Sequence, residues 1–291
     1  MTNKEKSAEV IRKFVHAFKC PLCNSSMEVV DLKSLVCSNN HTFDIAKQGY
    51  INLMTRSSNS HYDKNLFESR QKIIMESSLY SVVHAKISEI IKEHVDDSIY
   101  PIMILDAGCG EGSHLQRIIE ECNNIATIGV GLDISKAGIL LAAKKYKKSI
   151  WLVGDLANSP LEDRSFHVIL NILSPSNYKE FKRVLVPKGL IIKVVPRPNY
   201  LVELREALFD DNEKKVYQND ETVDLFKKNF YLKDVFNLSY TRKLDHEELE
   251  NLVKMSPLSW NSEKADIGVF LNRASSEITV DLDILVGSNN N

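Results

Sequence analysis

No apolar run in the 291 residues approaches the ~18–20 needed to cross a bilayer, which excludes an integral membrane protein. The first ten residues are polar and carry both charge signs. They lack the apolar stretch of a secretory signal and the acid-poor character of a transit peptide, so a cytoplasmic protein is expected. Cysteine is scarce, and its odd count of five in a chain without a secretion signal argues against a disulfide framework. There is no internal repeat, and the one biased stretch is a polar tail over 287–291, expected to fray. Excess charge is missing too: 37 Lys+Arg against 39 Asp+Glu excludes a polycation built to hold nucleic acid along its whole length. What remains, 43% hydrophobic and 26% charged, is the composition of a globular chain. At ~150 residues per domain, one large domain and a small module are expected.

The charge is not evenly spread. Residues 1–75 hold 11 Lys/Arg against 7 Asp/Glu, and the remainder 26 against 32. A mildly basic N-terminal portion on an acidic body suits local RNA docking.

Three of the five cysteines crowd near the N-terminus, as Cys20-Pro21-Leu22-Cys23 and Cys37-Ser38-Asn39-Asn40-His41. A C-x2-C turn offers two thiolates to one tetrahedral ion, and C-x3-H completes a Cys3His shell with no open position. The apolar residues between the pairs predict two short strands around 31–34, as in a zinc ribbon. Some thirty residues cannot bury enough surface to fold alone, so the metal would contribute most of the stability. A closed shell is structural, and zinc is expected to take no part in chemistry.

Further along, 43–54 is suited to packing this module onto a neighbour, and 55–59 reads as a polar loop. Helical periodicity runs over 66–95, with a break near 96–101. Then short apolar runs alternate with helices. Strands are expected at 102–105, 127–132, 150–153, 166–172 and 190–195, with helices at 113–122, 136–146 and 178–185. That alternation predicts an α/β fold with a parallel sheet covered on both faces. Three units follow from it: a zinc-binding ribbon over 14–48, a linker and helical extension over 49–99, and the main domain over 100–291.

The first of these strands runs into Asp106-Ala107-Gly108-Cys109-Gly110-Glu111-Gly112. Such a turn and the helix start behind it make an electropositive cradle that a ligand can approach closely. The spacing departs from the dinucleotide fingerprint, and Asp106 is placed to bind an ammonium group. Asp133 ends the second strand, where a carboxylate can accept two ribose hydroxyls. Asp155 follows the third strand and could accept from an adenine amino group.

This array resembles the class I S-adenosylmethionine-dependent methyltransferases, a Rossmann-like fold. The resemblance implies cofactor binding by Asp106, Gly108, Gly110, Glu111, Gly112, Asp133 and Asp155. Val186-Pro187-Lys188-Gly189 looks like the family's turn before the fifth strand, with Leu190 where a second glycine is usual. Joined to an N-terminal Cys3His ribbon, the chain is similar to the bacterial large-subunit (23S) ribosomal RNA (guanine-N1)-methyltransferases. The supporting stretches include 20–23, 37–44, 46–53, 105–112, 198–204 and 255–260. Membership implies methylation of a guanine in a hairpin loop of domain II of that RNA, a ribbon that helps grip RNA, and a homodimer. It also implies that Tyr80 and Tyr200 contact the cofactor from outside the glycine turn.

Residue chemistry limits the reaction independently. RNA cytosine-C5 methylation needs a thiolate near the end of the fourth strand, and 166–174 holds no cysteine. The N-P-P-Y loop that holds an exocyclic amine is missing as well. Direct transfer to a ring nitrogen or oxygen remains, with positioning as its main resource. His167 reads as a structural strand residue, and no residue is named as catalytic. Two other readings are a quinone or metabolite methyltransferase stapled by zinc, and a non-catalytic RNA-binding protein.

Overall fold

The computed structural model describes residues 1–56, 63–95, 101–123, 125–209, 219–259 and 264–289. The loop at 55–59, the break at 96–101, Trp260 and the polar tail lie wholly or partly outside them.

Helix α1 (Asn3–Lys13) opens on a capping box between Thr2 and Glu5 and buries Ala8 and Ile11. The ribbon follows. Its strands β1 (Met27–Val30) and β2 (Ser34–Cys37) pair antiparallel, as the sequence predicts, and β3 (Thr42–Asp44) adds a third.

A second sheet contains β4 (Ile51–Asn52), β5 (Ile102–Ala107), β6 (Thr127–Asp133), β7 (Ile150–Val153), β8 (Phe166–Ile172), β9 (Leu185–Pro196), β10 (Tyr231–Asp245) and β11 (Ser275–Ser288), in the order β10-β11-β9-β8-β5-β6-β7-β4. From β9 to β4 every pairing is parallel. Strand β5 is buried at all its positions, which is why it reads as an uninterrupted apolar run. Its neighbours β6 and β8 lie on opposite sides, so the order reverses at β5. Ligands of open α/β sheets bind in the crevice at such a point, outside the carboxyl ends of the strands.

Two features go beyond the expected pattern. Strands β10 and β11 form a long antiparallel hairpin docked on β9. Strand β4, two residues just beyond the ribbon, pairs with β7 and makes the far edge of the sheet.

One face of the sheet is covered by α2 (Lys64–Met75), α3 (Ser81–His94), α4 (Ser113–Glu121) and α5 (Lys136–Lys145). The helices α7 (Val202–Leu208), α9 (His246–Met255) and α10 (Lys264–Leu271) continue that layer. The other face carries α6 (Tyr178–Val184), α8 (Asp220–Asn229), α1 and the ribbon. Cys20, Leu35 and Cys37 of the ribbon share one apolar cluster with Leu105, Val130 and Leu152 of the sheet. Helices therefore lie on both faces, with the ribbon completing the second.

Candidate cofactor and metal sites

The turn between β5 and α4 owes its shape to positive φ at Gly108, Gly110 and Gly112. At Gly110 (φ 58) an added Cβ would run into the Arg70 guanidinium, so the missing side chain makes room for that cation. At Gly108 (φ 80) an added Cβ would lie 2.9 Å from Ser174 Oγ, so the segment after β8 packs directly on the turn.

Three carboxylates converge here. Asp106 is 2% exposed, and its Oδ2 has no hydrogen-bond partner. Burial pushes its carboxyl up to about 7, Arg70 opposes the rise, and Asp133 and Glu111 add to it. Glu111 is fully buried; one oxygen meets Arg70 Nη1 at 3.2 Å and the other has no partner. Asp133 accepts from Gly110 N at 2.8 Å and from Ser135 N at 2.7 Å, one bond to each oxygen. Those bonds orient the carboxylate across the glycine turn and leave lone pairs on both oxygens. Unpartnered buried acceptors are costly, and two of them sit within this one constellation. A ligand with an ammonium group fits that deficit.

The other expected residues are more spread out. Tyr80, at the start of α3, is buried, and its hydroxyl lies 2.6 Å from that of Tyr200 beyond β9. The structure thus brings together two residues 120 positions apart. Tyr80 packs edge-on against His114, which shares a 2.8 Å hydrogen bond with His84. Burial pulls His84 down to about 3, so this pair is neutral. Asp155 is exposed and caps a short 3-10 turn, accepting from Ala157 N at 2.7 Å. His167 is structural, as the sequence suggests: its Nδ1 accepts from Met103 N at 3.0 Å, filling a place in the strand ladder.

Arg70 was not singled out by sequence. It lies on α2 among polar and apolar residues at helical spacing, and only tertiary packing turns it toward the glycine turn. The charge field it enters includes Asp106, Glu111 and Asp133.

In the ribbon, the ligand atoms of Cys20, Cys23, Cys37 and His41 all lie within 4.8 Å of one another. Cys20 Sγ and Cys37 Sγ are each 3.5 Å from His41 Nδ1, and Cys23 Sγ is 3.6 Å from Cys37 Sγ. With Zn–S about 2.3 Å and Zn–N about 2.0–2.1 Å, a tetrahedral ion sets those edges at about 3.5–3.8 Å. The donor set and its spacing therefore fit zinc. Hydrogen bonding with Ser25 draws the Cys23 thiol down to about 5, toward the thiolate that a metal needs.

Comparison with known proteins adds an independent line. Residues 18–57 match the family model described as "RlmA, N-terminal", and residues 104–189 match "Methyltransferase domain". A Bacillus subtilis (strain 168) protein named as a 23S rRNA (guanine-N(1)-)-methyltransferase is 42% identical over 272 residues, 93% of this chain and 96% of that protein. The 23S rRNA (guanine(748)-N(1))-methyltransferase of Streptomyces fradiae is 28% identical over 88% of this chain and 90% of its own. A Mycobacterium tuberculosis phthiotriol/phenolphthiotriol dimycocerosates methyltransferase is 32% identical, but over only 36% of this chain and 41% of its own.

Proposed function

The chain belongs to the 23S rRNA (guanine-N1)-methyltransferase family, and from that premise we propose that its target guanine lies in a hairpin loop of domain II of the large-subunit RNA. The enzyme uses S-adenosylmethionine and transfers the methyl group to N1 of a guanine of 23S rRNA. One observation carries this reading over a small-molecule methyltransferase. The 42% identity runs through both ribbon and cofactor core, whereas the match to the mycobacterial enzyme stops at 36% of the chain.

S-adenosylmethionine, when bound, supplies an electrophilic methyl group on a sulfonium centre. The unpartnered Asp106 oxygen takes the ammonium group of its amino-acid portion. Arg70, which rests on Glu111, is the cation placed to take the carboxylate. Asp133 accepts the ribose hydroxyls through the lone pairs that Gly110 and Ser135 leave free. Asp155 keeps one carboxylate oxygen for the adenine amino group. Gly108, Gly110 and Gly112 shape the cradle, Glu111 acts through Arg70, and the Tyr80–Tyr200 pair walls the side nearest α3. Cys20, Cys23, Cys37 and His41 hold a structural zinc.

The same reading divides the chain into a ribbon (14–48), a connecting segment (49–99) and a catalytic unit (100–291), with the ribbon helping to grip RNA. It includes a homodimer, checked by sedimentation, and a cytoplasmic location beside the ribosome. Among the described residues no helix is long and apolar enough to cross a membrane.

The test is to incubate the protein with labelled S-adenosylmethionine and unmodified large-subunit RNA. Reverse transcription then maps the product, because a methyl on N1 blocks the Watson–Crick edge and arrests the polymerase. Arrest at one guanine of the domain II hairpin is expected. Label entering a quinone or lipid extract while RNA stays unmodified would overturn the reading.

A further inference from the structure

Lys193 is a buried cation on β9, 4% exposed, in a strand otherwise apolar around it. Its Nζ donates to Asn171 Oδ1 at 2.6 Å, to Ser176 Oγ at 2.7 Å and to the Ser174 carbonyl at 3.5 Å. All three acceptors are neutral. A buried charge without an opposite charge beside it is unfavourable, and an apolar side chain would fill a strand position without that cost. The charge therefore calls for a use.

Its acceptors belong to the segment that leaves β8 at the carboxyl edge of the sheet. Asn171 Nδ2 donates to the Ala107 carbonyl at 3.2 Å and to the Pro175 carbonyl at 3.0 Å. Ser174 Oγ donates to the same Ala107 carbonyl at 2.8 Å. Leu173 is held at φ 51, a conformation strained for leucine and common where function dictates backbone shape. Pro175 is exposed, while Ser174 and Ser176 are half-buried. One network thus joins Lys193 to the glycine turn below and to an open rim above. With the cofactor assigned to the β5–β7 side of the switch point, the base to be methylated must come from the β8 side.

Guanine N1 carries a proton at neutral pH. For transfer, the N1–H bond breaks and the proton passes to water. The electron pair left on N1 bonds the methyl carbon as the carbon–sulfur bond of the donor breaks, its electron pair leaving on sulfur to give the neutral thioether. Negative charge spreads over N1 and O6 as the proton leaves. We propose that Lys193 is a positioning residue for this step: it fixes the 171–176 segment from behind, where Ser176 Oγ also donates to Asn171 Oδ1 at 2.8 Å, and the field of its buried charge favours the N1-deprotonated guanine. The inference rests on the guanine-N1 reading above.

On the adjoining strands the charged and titratable groups are Glu277, Asp281 and Asp283 of β11, His167 of β8 and Asp106 of β5, and α6 adds Tyr178, Lys179, Glu180, Lys182 and Arg183. Arg197 lies 3.4 Å from Asp281 and from Asp283 and so occupies them, and Arg183 holds Glu180 at 2.7 Å. Burial holds Lys193 down at about 8, so it is charged at neutral pH and loses its charge as pH rises further.

Single-turnover methylation of unmodified large-subunit RNA, followed from roughly pH 6 to 9.5, tests this in the parent and in Lys193→Met, Lys193→Gln and Lys193→Arg. Near neutrality the Met and Gln variants should be slower by roughly tenfold or more. The gap should close at high pH, where the parent lysine is neutral and guanine N1 ionises unaided. Arginine, keeping the charge, should restore most of the rate, and affinity for S-adenosylhomocysteine should match the parent throughout. A loss equal at every pH, or an Arg variant no faster than Gln, would make Lys193 structural and overturn the proposal. Gln keeps the polar contacts and serves the comparison if Met does not fold. If the parent itself methylates no guanine N1, both the family reading and the inference fail; every other outcome is a ratio between variants and concerns Lys193 alone.

Discussion

Replacing Asp106 with Asn should move stability and cofactor affinity in opposite directions. Burial raises the folded-state value from 3.8 to about 7, so ionising this carboxyl destabilises the folded chain. Between about pH 4 and pH 7 the native state binds more protons than the unfolded one. The group's stabilising contribution is therefore complete below about pH 4 and is lost as pH rises through about 7. At ~1.36 kcal/mol per pH unit the full loss approaches roughly 4 kcal/mol, an upper bound for a site that can relax. Asparagine is isosteric and neutral, so it escapes this loss. The ligand-free variant should exceed the parent in stability by up to roughly 4 kcal/mol at pH 8 and equal it near pH 4. Affinity for S-adenosylhomocysteine should fall by about 1.5–3 kcal/mol, roughly 10- to 150-fold, because its ammonium group loses a charged acceptor. Urea unfolding at both pH values and calorimetric titration measure the two effects. A variant destabilised at pH 8, or one binding S-adenosylhomocysteine as tightly as the parent, would refute the reasoning.

Asp133→Ala removes the acceptor of two backbone N–H groups and of the ribose, and should weaken S-adenosylhomocysteine binding by about 1.5–3 kcal/mol in the same titration. Gly110→Val forces a branched side chain to positive φ, roughly 1–3 kcal/mol of strain, and drives it into Arg70; it should lower both melting temperature and cofactor affinity. Arg70→Met should leave Glu111 buried without its ion pair and abolish the preference for ligands with a free carboxylate, read by comparing S-adenosylhomocysteine with its decarboxylated analogue, which keeps the ammonium group. Chelation should release one zinc per chain, measured by elemental analysis, and reduce RNA methylation and cofactor affinity together.

What could be read from sequence follows from where the physics is local. Ile102-Met103-Ile104-Leu105 announces a strand buried on both faces, and the glycine turn behind it is punctuated by residues whose φ must be positive. The ribbon declares itself through ligand spacing. Strand β4 stays hidden because two residues carry no periodicity, and the strand it joins in the main sheet, β7, is about a hundred residues away. The β10–β11 hairpin is hidden for a related reason: its strands are joined through intervening helices and no tight turn marks the pairing. Arg70 is invisible because a cation on an amphipathic helix normally belongs to a solvated face. Lys193 did leave a trace, a charge inside Ile191-Ile192-Lys193-Val194-Val195, where a doubly covered strand should be apolar.

The coupling expected between metal and cofactor follows from how the ribbon is attached. The division into three units sets the zinc module apart from the glycine turn, and on that division alone losing the metal would leave cofactor binding intact. In the folded chain the ribbon and the short strand that follows it are bonded on the two sides of the segment that carries Asp155. Ahead of it, Leu53 N donates to the Val153 carbonyl at 2.8 Å, extending the β4–β7 pairing. Behind it, Lys19 N donates to the Pro160 carbonyl at 3.0 Å, Glu162 N donates to the Ala17 carbonyl at 2.9 Å, and Phe18 bridges to Leu161. Lys19 immediately precedes Cys20, so the first zinc ligand is one residue from a bond to the cofactor-side loop. Cys20 and Cys37 are themselves part of the apolar cluster beneath β5, β6 and β7. A ribbon that unfolds on losing zinc would uncover that face and release both flanks of the Asp155 loop. Asp133, one strand nearer the centre and held by the glycine turn, should be disturbed less. Zinc-free protein should therefore bind adenosine-containing ligands more weakly while the Asp106 end of the site keeps its ammonium contact, so the affinity loss should shrink for methionine-like fragments that carry no adenine.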